Sequence, residues 1–379
     1  GVMDTDILDL IRLNVRVPDQ VLGDIHANVS CTAVVVRQTI DFMQTYGLDT
    51  LEPLARPILD QTEAAVRACL AALPDGDYQS EADVEALDQV RRLRCQISKR
   101  GDTLEVAFEG TEGCIGAGIN VPFPYTKAMV LYAIKCLTTP GIPNNDGATT
   151  PITVSAPVDS ILNARPPAPS AGRHAIGHFI VPLVFEALAP ILPQQVCAAS
   201  GLIDILTFQG RTVDGQPMAA TYFAAGGFGA MAGLDGRQTL PGSTNMGSMS
   251  IELFEPLSDI TVERKQLRAD SGGDGEFRGG AGQTIVLRND SGHDLTVFTM
   301  GNRTQFAAEG LFGGEHGARR EYWIDDHQIS GQGKHRMQPG QRLRLEQAGG
   351  GGYGPAGLRT QAARARDIAN GFVSPPAKD

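Results

Sequence analysis

Gly201-Leu202-Ile203-Asp204-Ile205-Leu206-Thr207-Phe208 is where the period of the chain changes. The apolar run over 203–208 is followed by similar short runs at 220–224, 251–254, 261–267, 284–287 and 295–299, separated by glycine and asparagine turns. That pattern predicts strands, and their spacing predicts a sandwich or open barrel. Upstream the period is different. Ile7, Leu10, Ile11 and Val15 recur at three and four, predicting a helix capped by Asp6 and stopped by Pro18. A second helix is expected over 24–46, closed by Gly47, and a third over 57–73, closed by Pro74-Asp75-Gly76; the three are expected to pack together. Between these regions, Leu104, Val106 and Phe108 alternate as a strand does. Helices are predicted over 123–137 and 179–192, and the proline-rich stretch 151–169 must run extended. The fold class read from this is α+β. Residues 1–100 form a helical first lobe, 101–200 a mixed α/β lobe, 201–355 a β-rich lobe and 356–379 a loose C-terminal tail.

Composition limits what such a chain can do. Its 379 residues suggest two or three lobes at about 150 residues each. With 42% hydrophobic and 20% charged residues it reads as globular, and no segment is apolar for the roughly 18 residues a membrane span needs. A net charge of −11 repels phosphate backbones, so nucleic acid is not an expected partner. Cys31, Cys69, Cys95, Cys114, Cys136 and Cys197 include no C-x-x-C pair, as expected for reduced thiols in a cytoplasmic protein. Gly1-Val2-Met3 reads as a start that sequence once preceded.

The sharpest polar cluster is Arg173-His174-Ala175-Ile176-Gly177-His178. On a helix His174 and His178 share a face, from which they could polarise a carbonyl or hold a metal. Equally, one could cap the following helix while the other donates to a backbone carbonyl. No third ligand is evident, so no metal residue is assigned. Asp24 is a candidate N-cap or rim residue of a site, with His26 beside it. Ala225-Gly226-Gly227-Phe228-Gly229-Ala230 and Ser243-Thr244-Asn245-Met246 let backbone come close to something, either an oxyanion, a neighbouring chain or merely a tight turn. Gly349 to Gly352 reads as a terminal turn. There is no GxxxxGK[ST] loop, no GxGxxG after a strand and no GxSxG elbow, so none of these devices binds ATP or supplies a nucleophile here.

Several stretches occur in a telling order: Asn14-Val15-Arg16-Val17-Pro18 with Leu22-Gly23-Asp24, Leu73-Pro74-Asp75-Gly76-Asp77-Tyr78, Ser160-Ile161-Leu162-Asn163-Ala164-Arg165-Pro166-Pro167, Arg173-His174 to His178-Phe179, Gly226 to Ala230, Ser243-Thr244-Asn245, Arg268 to Gly280 and Gly349 to Gly354. Together they cover nearly the whole chain, which resembles the C-terminal two-thirds of the hydantoinase B/oxoprolinase family. The resemblance implies a subunit of an ATP-dependent amidohydrolase that opens hydantoins, 5-oxoproline or lactams with a hydantoinase A-type ATP-binding subunit. A related branch carboxylates ketones such as acetone or acetophenone, and a non-catalytic scaffold is a further alternative. It also implies that ATP and a divalent metal serve the complex without binding to this chain. The family's principal metal and carbonyl-facing residues would lie in an N-terminal segment preceding residue 1. His26 stands where arginine is frequent in the family. The site expected on this chain is His174 and His178 as catalytic residues, with Asp24, Arg173 and Asn245 towards substrate.

Overall fold

Pro18 does not stop the first helix so much as open the second. The computed structural model describes residues 3–15, 17–243, 246–247 and 250–375. Helix α1 (Thr5–Asn14) is capped by Asp4, whose Oδ1 accepts from Asp6 N at 3.0 Å and Ile7 N at 3.4 Å, so the expected Asp6 cap is displaced by two residues. Helix α2 (Pro18–Tyr46) starts on proline, which loses nothing there because the first amides of a helix have no partner within it. It ends at Gly47 with φ +62°, the left-handed geometry that glycine adopts freely. Asp24 therefore lies inside α2 and caps nothing. Helix α3 (Glu52–Ala71) begins before Pro57 and buries Thr62, Val66 and Leu70, whereas α2 buries only Leu22. The expected three-helix cluster does not form; α3 packs onto the first sheet and α2 runs over the surface.

The helical opening ends at Ala71, and strands β1 (Gly76–Ala86) and β2 (Gln89–Arg100) follow within the stretch expected to be helical. They pair antiparallel from Gly76↔Lys99 to Ala86↔Gln89. Leu93, Cys95 and Ile97 alternate into the core, with arginine, glutamine and serine between them facing out. Strand β3 (Thr103–Ala107) pairs antiparallel with β2, and β4 (Ile152–Ser155) adds parallel to it, giving the order β1-β2-β3-β4. Helices α4 (Phe123–Thr138), α5 (His174–Gly177) and α6 (Ile180–Leu188) complete this half, whose core includes Val130, Ile134, Ile176, Phe179 and Val184. Helix α6 is apolar except at Glu186, and seven of its nine residues are buried.

The second half is a sandwich rather than an open barrel. Strands β5 (Ile203–Arg211), β6 (Pro217–Ala225), β9 (Leu295–Met300) and β12 (Gln332–Met337) form the sheet β12-β9-β5-β6. Strands β7 (Ile260–Leu267), β8 (Gln283–Asn289), β10 (Glu321–Ile324), β11 (His327–Ile329) and β13 (Arg342–Glu346) form β11-β10-β13-β8-β7. Leu206, Phe208 and Tyr222 of one sheet meet Ile285, Leu287, Leu343 and Leu345 of the other in one core. The run 251–254, expected as a strand, is the start of helix α7 (Ile251–Ser258). Its Phe254 stacks edge-on against Phe208 and Tyr222 at 6.1 and 4.9 Å between centroids, while Leu253 and Leu257 stay exposed.

The glycine stretches are not turns. Residues 226–229, 279–282 and 349–354 lie side by side and bond backbone to backbone: Gly227 N to Ala348 O, Gly280 N to Phe228 O, Gly350 N to Gly280 O and Gly351 N to Ala199 O. They leave β6 and β13 and enter β8, stitching the two sheets of the sandwich to each other and to the segment after α6 that leads into β5. The tail is also tied down as far as Pro375. Helix α8 (Gln361–Ala369) places Asp367, 4% exposed, against Arg359 and Arg278, and Asp270 N donates to Phe372 O at 2.9 Å. Among the described residues no helix is long and apolar enough to cross a membrane.

Candidate functional site: a histidine pair beside an apolar cavity

The approach to the histidines is held by side-chain amides. Asn120 Nδ2 donates to Pro169 O at 3.0 Å, and Asn163 Nδ2 donates to Ala156 O at 2.8 Å, so beyond β4 the proline-rich crossing is fixed in part by side-chain amides. The chain then coils into α5 and, after His178 and Phe179, into α6. Gly177 packs on the ring of Tyr125, where an added Cβ would stand 2.3 Å from Cε1. The exposed Arg173 guanidinium lies over the same ring, 5.5 Å from its centroid.

The four-residue spacing brings His174 and His178 together as expected, with ring centroids 6.0 Å apart and planes at 53°. His178 is 4% exposed, and the buried Nε2 of His174 has no hydrogen-bond partner among the described residues. Burial, with His174 nearby, lowers His178 to about 4; burial and the Arg173 charge also lower His174, against the pull of Asp204. Both rings are therefore neutral at physiological pH, each with one donor and one acceptor nitrogen. Among the described residues neither imidazole donates to a backbone carbonyl. The contacts this turn makes run through its backbone: Asn302 Nδ2 donates to Ala175 O, and Ser243 Oγ donates to His178 O at 3.2 Å.

Ser243 leads from the histidines to a cavity of about 240 Å³. Tyr132 and Cys136 of α4 line it, with Val181 and Phe185 of α6, Phe228 and Ser243. The imidazoles are behind this wall rather than among its lining side chains. Burial raises the Cys136 thiol and raises Cys197 to about 12, so neither cysteine is poised as a thiolate nucleophile. Asp24 is exposed on α2, and no residue of α2 lines this cavity. Asn245 lies outside the described residues, although Ser243, two positions before it, meets His178. The sequence singles out the stretch from Ser243 but not its bond to His178, and it gives no sign of Asn302, because nothing in a serine or asparagine signals which distant carbonyl it will find. Among the described residues no three His, Cys, Asp or Glu side chains gather to hold a metal. Two imidazoles alone do not complete such a site.

The low value for His178 has a consequence for stability. Between about 4 and 6.5 the unfolded chain binds a proton at this residue that the folded chain does not, so stability falls as pH drops through that window. The expected loss is up to about 3 kcal/mol. Glu186, exposed and raised to about 7, acts in the opposite sense, and solvent screening reduces its share. Urea unfolding of wild type and His178→Gln across the window separates the two: the variant should lose part of the acid-side decline. Parallel pH profiles would show that His178 is not buried in its neutral form.

A family description, hydantoinase B/oxoprolinase, matches residues 1–356. The chain belongs to the hydantoinase B/oxoprolinase family. Within that family it is 25% identical, over 99% of its length, to a subunit of a putative D-/L-hydantoinase from Pseudomonas sp. (strain NS671), of which it covers 66%. It is 26% identical over 97% of its length to the beta subunit of the caprolactamase of Pseudomonas jessenii, covering 67% of that protein. The crystal structure of the ATP-dependent caprolactamase from Pseudomonas jessenii superposes with a TM-score of 0.89 at 25% identity, over 99% of this chain and 68% of that one. A nucleotide-free acetone carboxylase shares the fold at TM-score 0.87 and 18% identity, over 98% of this chain and 57% of that one. The chain thus spans about two-thirds of the length of the hydantoinase and caprolactamase subunits it matches.

Proposed function

We propose that this chain is the part of an ATP-dependent cyclic amidohydrolase that shapes the substrate pocket and meets a hydantoinase A-type ATP-binding subunit. The observation that carries the reading is likeness along almost the entire chain, in sequence and in fold, to a caprolactamase subunit and its solved structure. The local chemistry agrees. A hydantoin or lactam is a small ring with an apolar edge and one or two amide groups, and the cavity offers apolar walls from α4 and α6 with the Ser243 hydroxyl at one side. Ring opening needs a proton taken from the attacking water and one delivered to the leaving nitrogen, work that an imidazole held neutral can do. In this reading the ring's amide reaches past Ser243 out of the apolar cavity, where His174 and His178 exchange protons with it, and Arg173 and Asn245 are assigned to its carbonyl oxygen. Asp24, out on α2, belongs to the rim or to a partner contact. ATP and a divalent metal belong to the rest of the complex. The fold shared with acetone carboxylase supports ketone carboxylation as the second reading, through fold alone.

Composition of the assembly is the direct test. Co-expressed with an actin-like ATP-binding partner, the chain should appear by native mass spectrometry in a heteromeric complex that carries the metal. A homogeneous homomer formed in the presence of that partner would contradict the division of labour.

A further inference from the structure

Pro182 and Cys197 also line a second cavity, of about 200 Å³, bounded by Phe179, Leu183, Glu186, Arg303 and Glu309. Arg303 is the buried charge of this cavity, only 5% exposed. Its Nε donates to Ser200 O at 3.2 Å and its Nη1 to Ala307 O at 3.0 Å, while the guanidinium lies over the Phe179 ring, 4.7 Å from the centroid. Nη2 has no hydrogen-bond partner among the described residues, so a fixed, desolvated cation offers one free donor arm to the cavity. Glu186 from α6 and Glu309 from the opposite loop are solvent-accessible and face the same space. Burial and the neighbouring Glu309 raise Glu186 to about 7, against the pull of Arg303. At the rim, Arg92 is already committed to Asp83 at 2.8 Å and Glu81 at 3.7 Å. Glu85, buried and not part of the lining, also pulls on Arg303, with its Oε1 accepting from Thr304 N at 2.8 Å and Gln305 N at 2.7 Å; the groups that face the cavity itself without a partner are one guanidinium arm and two carboxylates that repel each other.

We propose that this cavity binds a small zwitterion, an amino acid whose carboxylate meets Arg303 and whose ammonium group meets Glu186 and Glu309. A lone anion would complete Arg303 and leave the carboxylates facing each other; a lone cation would do the reverse. Only a ligand with both charges satisfies the whole wall. A cavity of about 200 Å³ has room for a short-chain amino acid with its methylenes against Phe179 and Leu183. A ring-opened lactam is one such zwitterion, and that attribution alone rests on the function proposed above; the charge arrangement does not.

Binding can be measured without turnover, so failure here and failure of the amidohydrolase reading are distinguishable. Isothermal titration of the full chain with 5-aminopentanoate should give an affinity at least about tenfold above that for pentanoate or pentylamine. Glu186→Gln and Glu309→Gln should each weaken it about tenfold without lowering the melting temperature, since both side chains are exposed and Glu186 is raised by folding. Affinity should rise as pH is raised through about 7, and Glu186→Gln should flatten that rise. Equal affinity for the two singly charged probes, no detectable binding of 5-aminopentanoate, or full binding by both glutamine variants would each overturn the assignment.

Discussion

Gly227→Ala is expected to abolish the fold of the β half. A Cβ built on Gly227 stands 1.8 Å from the carbonyl oxygen of Gly280, 2.4 Å from its carbon and 2.9 Å from Gly350 N. All three are backbone atoms within the stitched glycine segments, so no side chain can rotate away. Overpacking against movable side chains costs about 1–3 kcal/mol, and here the cost must exceed that because three segments would have to part. Whole domains are stable by only about 5–15 kcal/mol, so such a loss should appear as failed soluble expression or a melting temperature lowered by well over ten degrees. Gly23→Ala supplies the control. Nothing lies within 4 Å of a Cβ there and the residue sits inside the exposed α2, so the change should leave stability equal or raise it by about 1 kcal/mol. If Gly227→Ala melts with wild type, the glycine segments are not close-packed and this description of the sandwich is wrong.

The second large effect is expected at the histidines. His174→Leu and His178→Gln should lower kcat/KM of the assembled enzyme about 10²-fold or more, the usual loss when a proton-transfer group is removed. Stability should part company with activity. A buried ring nitrogen without a partner costs the folded state free energy, so His174→Leu should keep or raise the melting temperature. A purely structural histidine behaves in the opposite way, losing about 1–3 kcal/mol with activity per folded molecule intact. Measuring both quantities on the same variants decides between the roles.

The elements legible in the sequence are those whose period is carried by large apolar side chains. Val181, Val184, Phe185 and Leu188 mark α6, Leu104 and Val106 mark β3, and the runs after Gly201 mark five of the sandwich strands, β5 to β9. Strands β1 and β2 escaped because their alternation is written in small and polar residues: Tyr78, Ser80, Ala82 and Val84 face inward on β1, and Arg92, Arg94 and Gln96 separate the core positions of β2. Three apolar residues and a glutamate at 251–254 fit either a strand or the first turn of a helix, and in the structure they are the first turn of α7. Pro18 was ambiguous for a similar reason, since proline both ends one helix and suits the start of the next. The glycine segments looked like turns because glycine is as often chosen for close backbone approach as for a positive φ. For the site, a four-residue spacing suffices to pair His174 with His178, but no local pattern joins Glu186 to Arg303 and Glu309, which only the fold brings to one cavity.

Phosphate release from ATP, with and without an actin-like ATP-binding partner and in the presence of a hydantoin or a lactam, tests the central claim most directly. No release is expected from this chain by itself, whose sequence has no GxxxxGK[ST] loop, and substrate-dependent release coupled to ring opening is expected once the partner is supplied. Appreciable ATP hydrolysis by the pure chain, or a reconstituted complex that hydrolyses ATP without ever opening a cyclic amide, would contradict it.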